Sequence, residues 1–238
     1  MGSGSPPQPV ILTWPDPDAP IPTDIDPPAY EHARVPQHGV NYTLSQGGFN
    51  TMLVIPPHTL QDSRPQYFIS VSMNCLNPHS FITTVHRGAS DSGPYVGEFE
   101  MGISTIPSTV TMGNCQKRLR EAVRVENKNM WTWHFKDDRD QHLRWELVNL
   151  NTGLFDCFLA RDQRPAPPEL KVAQFRGAPL NHKGTARTPP PMLRINPKGQ
   201  PLFDDILLSV LIMERWRLRP PAPKLHNQSQ MQEAQWWS

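Results

Sequence analysis

Between Leu170 and Phe203 the chain carries six cations, Lys171, Arg176, Lys183, Arg187, Arg194 and Lys198, and no carboxylate. Such a run of uncompensated positive charge attracts phosphate-bearing surfaces, anionic membrane lipid above all. The competing explanation is a solvated surface, in which the same side chains only keep two strands and a proline-rich connection in water. A second basic group, Lys117, Arg118, Arg120, Arg124 and Lys128, is diluted by Glu121 and Glu126. Near the N-terminus, Pro27-Pro28-Ala29-Tyr30 has the form of a PPxY ligand for WW domains. A polyproline II segment is extended before it docks and loses little entropy on binding, with Pro27, Pro28 and Tyr30 filling an aromatic groove. Its partner would be a WW-containing protein such as a ubiquitin ligase. Ten prolines in the first 36 residues also generate such a tetrapeptide by composition alone.

Catalytic chemistry finds less support. Nucleophilic hydrolysis needs a Ser or Cys beside a base, and there is no G-x-S-x-G. Cys75, Cys115 and Cys157 lie about forty residues apart without a CxxC, so they frame neither a zinc site nor a disulfide scaffold. Cys157 shares a strand face with Phe155 and Leu159 and reads as a core thiol. The nine histidines include no H-x-x-x-H; His134 and His142 flank a hairpin and read as an outward polar pair. Asp137, Asp138 and Asp140 lack the glycine and distal glutamate of a calcium loop. No Gly-rich loop opens a helix to cradle a nucleotide. The expectation is a non-enzymatic chain with no metal and no cofactor. An enzyme acting on a small substrate would instead need an open cavity with convergent polar groups.

The elements that must position these residues are legible in the distribution of proline and of apolar residues. With 238 residues, 37% of them hydrophobic, and 28 prolines, the chain has room for one domain and sizeable unpacked segments. A balance of 23 basic against 22 acidic residues gives no global field for nucleic acid. The odd cysteine count and the lack of a charged n-region before an apolar h-region point to an intracellular chain, cytoplasmic or peripheral at a membrane. Only three prolines occur from Gln66 to Arg164. The expected division is a disordered tail over 1–48, a domain over 49–218, and a flexible end over 219–238, where Trp236 and Trp237 have no core to join.

Within the domain, Tyr67, Ile69, Val71 and Met73 alternate with polar residues, as do Trp131, Trp133 and Phe135; both read as half-buried strands. Weaker alternation predicts strands over 52–55, 81–87, 95–101, 108–112, 143–148, 154–160, 170–175 and 192–195. The stretch from Lys117 to Val125 is ambiguous between strand and helix. Trp131, Trp133, Trp145 and Trp216 read as core. So many strands predict a closed antiparallel β-barrel, because closure removes exposed edges. A helix is expected over 201–217, with Pro201 at its first position, Asp204 and Asp205 at its positive end, and Arg215 and Arg217 at its negative end. From Ile206 to Met213 it is apolar on every side apart from Ser209, the signature of a helix buried all round. It is too short to span a bilayer core, which needs roughly 20 apolar residues.

This layout resembles the tubby C-terminal-like superfamily, which includes tubby proteins, phospholipid scramblases and LURP-one-related proteins, and more closely a family of uncharacterised fungal proteins assigned to it. The residues that carry the resemblance are Phe81-Ile82-Thr83-Thr84-Val85-His86-Arg87, Val96-Gly97-Glu98-Phe99-Glu100-Met101, Trp133-His134-Phe135 with Leu143-Arg144-Trp145-Glu146-Leu147, Lys171-Val172-Ala173-Gln174-Phe175-Arg176, and the closing helix. The resemblance implies a barrel wrapped around a hydrophobic C-terminal helix. It also implies a binding or adaptor role, since tubby proteins bind phosphoinositides through basic residues on the barrel. No individual binding residue carries over to this chain.

Overall fold

The computed structural model describes residues 36–60, 62–102, 108–135, 142–160, 171–180 and 189–218. Its elements are β1 (Val40–Gly48), β2 (Thr51–Ile55), β3 (Tyr67–Asn74), β4 (Asn77–Arg87), β5 (Tyr95–Gly102), β6 (Thr109–Met112), β7 (Cys115–Arg118), α1 (Leu119–Ala122), β8 (Val123–Asn127), β9 (Met130–Trp133), β10 (His142–Asn149), β11 (Leu154–Ala160), β12 (Lys171–Arg176), β13 (Met192–Ile195) and α2 (Phe203–Arg217). A 3-10 segment, Pro197–Leu202, leads into α2. All ten strands expected from alternation are present. The ambiguous stretch changes element twice: β7 ends at Arg118, α1 occupies four residues, and β8 begins at Val123.

Every ladder is antiparallel, and the thirteen strands form one sheet in the order β7-β6-β5-β4-β3-β2-β1-β13-β12-β11-β10-β9-β8. The fold is therefore mainly β with a C-terminal helix, but the sheet is not closed. It ends at β7 and β8, and no ladder joins them. An odd number of alternating strands makes these two edges parallel to each other. A parallel pair needs a crossover of about a dozen residues, and α1 is far too short to supply one. The seam is bridged by α1 instead: Leu119 N–H donates to Ser108 O, and His134 N–H donates to Ala122 O.

β1 corrects the expected boundary at residue 49. Val40, Tyr42 and Leu44 are buried, while Asn41, Thr43 and Ser45 alternate with them, and β1 pairs with both β2 and β13. It is the central strand that joins the two halves of the sheet. Residues 1–35 and 219–238, with the Pro27-Pro28-Ala29-Tyr30 motif, Trp236 and Trp237, lie outside the described residues.

α2 is the axis of the core. Ile206, Leu207, Leu208, Val210 and Ile212 are fully buried, as is Ser209, which matches a helix apolar on every side. Strands from both halves of the sheet reach it. The Tyr67 hydroxyl of β3 donates to Asp204 at 2.8 Å, the Trp133 indole of β9 donates to Asp205 at 3.1 Å, and the Trp145 indole of β10 donates to Ser209 at 2.9 Å. A Cβ on Gly97 of β5 would lie 2.7 Å from Leu208 Cδ1, so this glycine lets strand and helix approach closely. Pro201 is not at the first α-helical position; it sits in the 3-10 segment, two residues earlier. Trp133 and Trp145 are core residues, and Trp131 and Trp216 pack partly buried against the core.

The register gives the sheet two rims. At the front rim, where α2 begins, lie the start of β3 and the ends of β4 and β13. At the back rim, where α2 ends, lie the turns β1–β2, β3–β4, β8–β9 and β10–β11 and the exit of β12. Arg217 marks the back rim: its guanidinium donates to Leu150 O and to Ala178 O.

Candidate functional site

The described members of the basic run do not form one patch. Lys171 opens β12 and pairs with Asp156 of β11 at 2.7 Å. The run is free of acid in sequence but not in space, because β11 lays a carboxylate against it. Arg176 and Arg194 are exposed on the outer faces of β12 and β13, opposite the inward residues Phe175 and Leu193. Their cross-strand neighbours are Leu154 and Met192 for Arg176, and Gln174 and Asn41 for Arg194. None of these is acidic, and the register makes the two arginines diagonal neighbours on adjacent strands; it also places Asp156 of β11 diagonal to Arg176. Lys198 is exposed in the 3-10 segment, beyond the end of β13. Lys183 and Arg187 lie outside the described residues. The second basic group follows the seam, from β7 through α1 to the β8–β9 turn, with Lys117 Nζ 5.5 Å from the centre of the Phe135 ring.

A cleft of about 540 Å³ opens at the front rim, lined by residues that include Arg87, Tyr95, Met112, Lys117, Phe135 and Asp204. Its polar centre already has a structural task. Arg87 Nη2 meets Asp204 Oδ2 at 2.6 Å, and the Tyr67 hydroxyl takes the other carboxylate oxygen. Burial, reinforced by the Asp204 charge, pushes the Tyr67 phenol up. Burial and Glu98 push Tyr95 up to about 12. These phenols stay protonated at neutral pH, and Asp204 serves to fix the first turn of α2.

His134 and His142 are not an outward pair but half-buried and face to face, with rings stacked at 4.6 Å between centroids. Burial, then His142 and Arg124, hold the His134 imidazole below its ordinary value. Among the described residues no group of three or more His, Cys, Asp or Glu is placed to hold a metal ion. Cys157 is fully buried, and burial pushes its thiol up; Cys75 and Cys115 are exposed. Among the described residues no helix is long and apolar enough to cross a membrane.

Alternation finds side chains that point inward, so it passes over the apolar residues at the back rim. Phe49 and Leu76 are each 92% exposed at the tips of the β1–β2 and β3–β4 turns. Leu150, Leu180 and Leu218 are also exposed on this rim. The readable signal is a lone large apolar residue beside asparagine inside a turn, as in Phe49-Asn50, Leu76-Asn77 and Leu150-Asn151.

No curated protein matches the chain, and no solved structure does. One family model matches residues 54–219, from the end of β2 through α2, and on that match the chain belongs to a family of unknown function, DUF6593.

Proposed function

We propose that this chain is a non-enzymatic binding module whose outer surface contacts anionic lipid. The observation that carries the reading is the pair Arg176 and Arg194, exposed on adjacent strands with no acidic residue directly opposite either; Asp156, diagonal to Arg176 on β11, is paired with Lys171. Two adjacent guanidiniums suit phosphate, which they bind in bidentate fashion. The interior supports the same reading, because α2 fills it with apolar side chains and leaves the outside for recognition. The arrangement of strands around an apolar C-terminal helix also supports the likeness to tubby-type domains.

The test is co-sedimentation of the full-length protein with phosphatidylcholine vesicles, with and without phosphatidylserine or phosphoinositide, at low and high salt. Binding to the anionic vesicles alone, weakened by salt and by Arg176→Glu with Arg194→Glu, is the expected result. Equal binding to neutral vesicles, or none to any, refutes it.

A further inference from the structure

We infer that the back rim docks end-on against a lipid bilayer, with its apolar turn tips entering the interface and cations around them meeting the headgroups. This rests on the lipid reading above and names the surface that makes the contact. The tips do not stabilise the fold. At 92% exposure Phe49 and Leu76 bury nothing, and three turns of this rim, those of Leu76 and Leu150 among them, are held by asparagine instead. Asn74 Oδ1 accepts from Leu76 N–H at 2.9 Å, Asn127 Oδ1 from Asn129 N–H at 2.9 Å, and Asn149 Oδ1 from Thr152 N–H at 3.1 Å. These are the self-bonding turns that asparagine forms without help from its neighbours. Singly, exposed large apolar side chains are ordinary; here five of them, Phe49, Leu76, Leu150, Leu180 and Leu218, gather on one rim.

The charges of the rim indicate which partner. The described turns here, over 47–50, 74–77, 127–129, 149–153 and 176–180, contain Lys128 and Arg176 and no acidic residue; the carboxylates that flank them are Glu126, before the 127–129 turn, and Glu100, which accepts from Asn74 Nδ2 at 2.7 Å. Arg215 stands exposed beside them, its guanidinium 5.5 Å from the centre of the Phe81 ring. The nearby carboxylate of Glu214 is neutralised by Arg217 at 2.6 Å. The turns of the front rim carry Asp91 and the ion pair of Asp62 with Arg64 at 2.8 Å. Apolar tips among cations match an anionic bilayer, where side chains enter the acyl boundary and cations stay at the phosphates. The tips stand on separate turns. A fluid interface accepts separated tips, whereas a protein partner needs one continuous packed patch.

Vesicles of phosphatidylcholine and phosphatidylserine, with the full-length protein, test this. In a Cys115→Ser background, Cys75 beside the Leu76 tip is the accessible thiol of the described residues, and it takes an environment-sensitive fluorophore. Three results are expected: a blue shift of the label on vesicle binding, loss of apparent affinity by about tenfold or more in Phe49→Asn with Leu76→Asn, and unchanged thermal unfolding of that variant. Vesicle binding with an unshifted label and an unaffected tip variant overturns the end-on geometry and leaves the lipid reading standing. Absence of binding by the unmodified chain overturns both. Self-association without vesicles, abolished by the tip substitutions, would assign the tips to a second copy of the chain and also overturn the inference.

Discussion

Arg217 offers the sharpest test of how α2 is fastened. Its side chain is 2% exposed and that of Glu214 11%. The guanidinium gives two bonds of 2.6 Å to the Glu214 carboxylate, a third of 2.6 Å to Ala178 O, and one of 3.2 Å to Leu150 O. Gly153 makes room for it, since a Cβ there would lie 2.7 Å from Arg217 Cζ; its φ of +55° also favours glycine. Arg217→Met strands a nearly buried carboxylate, a loss of about 3–5 kcal/mol in comparable pairs. For a domain of this size that lowers the melting temperature by roughly 6–20 °C. Glu214→Met is milder, because Arg217 keeps both carbonyls. The double variant should cost no more than Arg217→Met alone, as no unpaired charge remains. Urea unfolding of the two single variants and the double variant closes the cycle. A cost under about 1 kcal/mol for Arg217→Met, or a double variant equal to the sum of the singles, would refute the reasoning.

Leu208→Asp places a carboxylate at a fully buried position against Gly97; a cost of several kcal/mol against a total of about 5–15 should leave no cooperative unfolding transition by circular dichroism. A fragment that starts at residue 54, where the family match begins, lacks β1 and all of β2 but Val54 and Ile55, which leaves β13 and most of β3 without their neighbours; it should show no cooperative transition, and a urea midpoint equal to that of the whole chain would refute this. His134 binds its proton less readily folded than unfolded, because burial, His142 and Arg124 lower its value from 6.5. Its contribution is therefore intact above the unfolded value and is lost as pH falls through it, so the urea midpoint should drop less in His134→Gln than in the parent between about pH 7.5 and about pH 5.5. Equal drops would rule His134 out as a source.

The ten strands and the buried helix are legible because each carries its own period. β3 alternates cleanly from Tyr67 to Ile69 before Met73 emerges at the rim, 58% exposed. α2 is legible as buried because no polar face interrupts Ile206–Met213 apart from Ser209. β1 was readable and yet is assigned to the tail, since proline lies on one side of it and Gly47-Gly48 on the other, and three inward residues make a short signal. Closure was not legible. A count of strands predicts a barrel, but the result depends on parity and on the length of one link, α1, within a stretch whose pattern changes twice in nine residues. The basic run was half legible: strand alternation turns Arg176 and Arg194 outward, while the Lys171–Asp156 pair depends on the register between β11 and β12, which neither strand's sequence encodes alone.

An apolar helix inside an apolar sheet has a problem that burial cannot solve. Hydrophobic contact is non-directional, so a cylinder that is greasy on every side gains nearly as much after sliding by a turn or rotating. The polar groups of α2 remove that freedom. Asp204 and Asp205 are pinned to Tyr67, Arg87 and Trp133 at the front rim, Ser209 to Trp145 midway, and Glu214 with Arg217 to the Leu150 and Ala178 carbonyls at the back. Each pin joins a specific residue to a specific strand, and a shift of one turn would leave several buried polar groups unpaired at about 1–3 kcal/mol each. The same pins set where α2 stops. Because Arg217 bonds to the β10–β11 turn and to the exit of β12, the helix that fills the core also fixes the backbone beside Leu150 and Leu180 on the back rim.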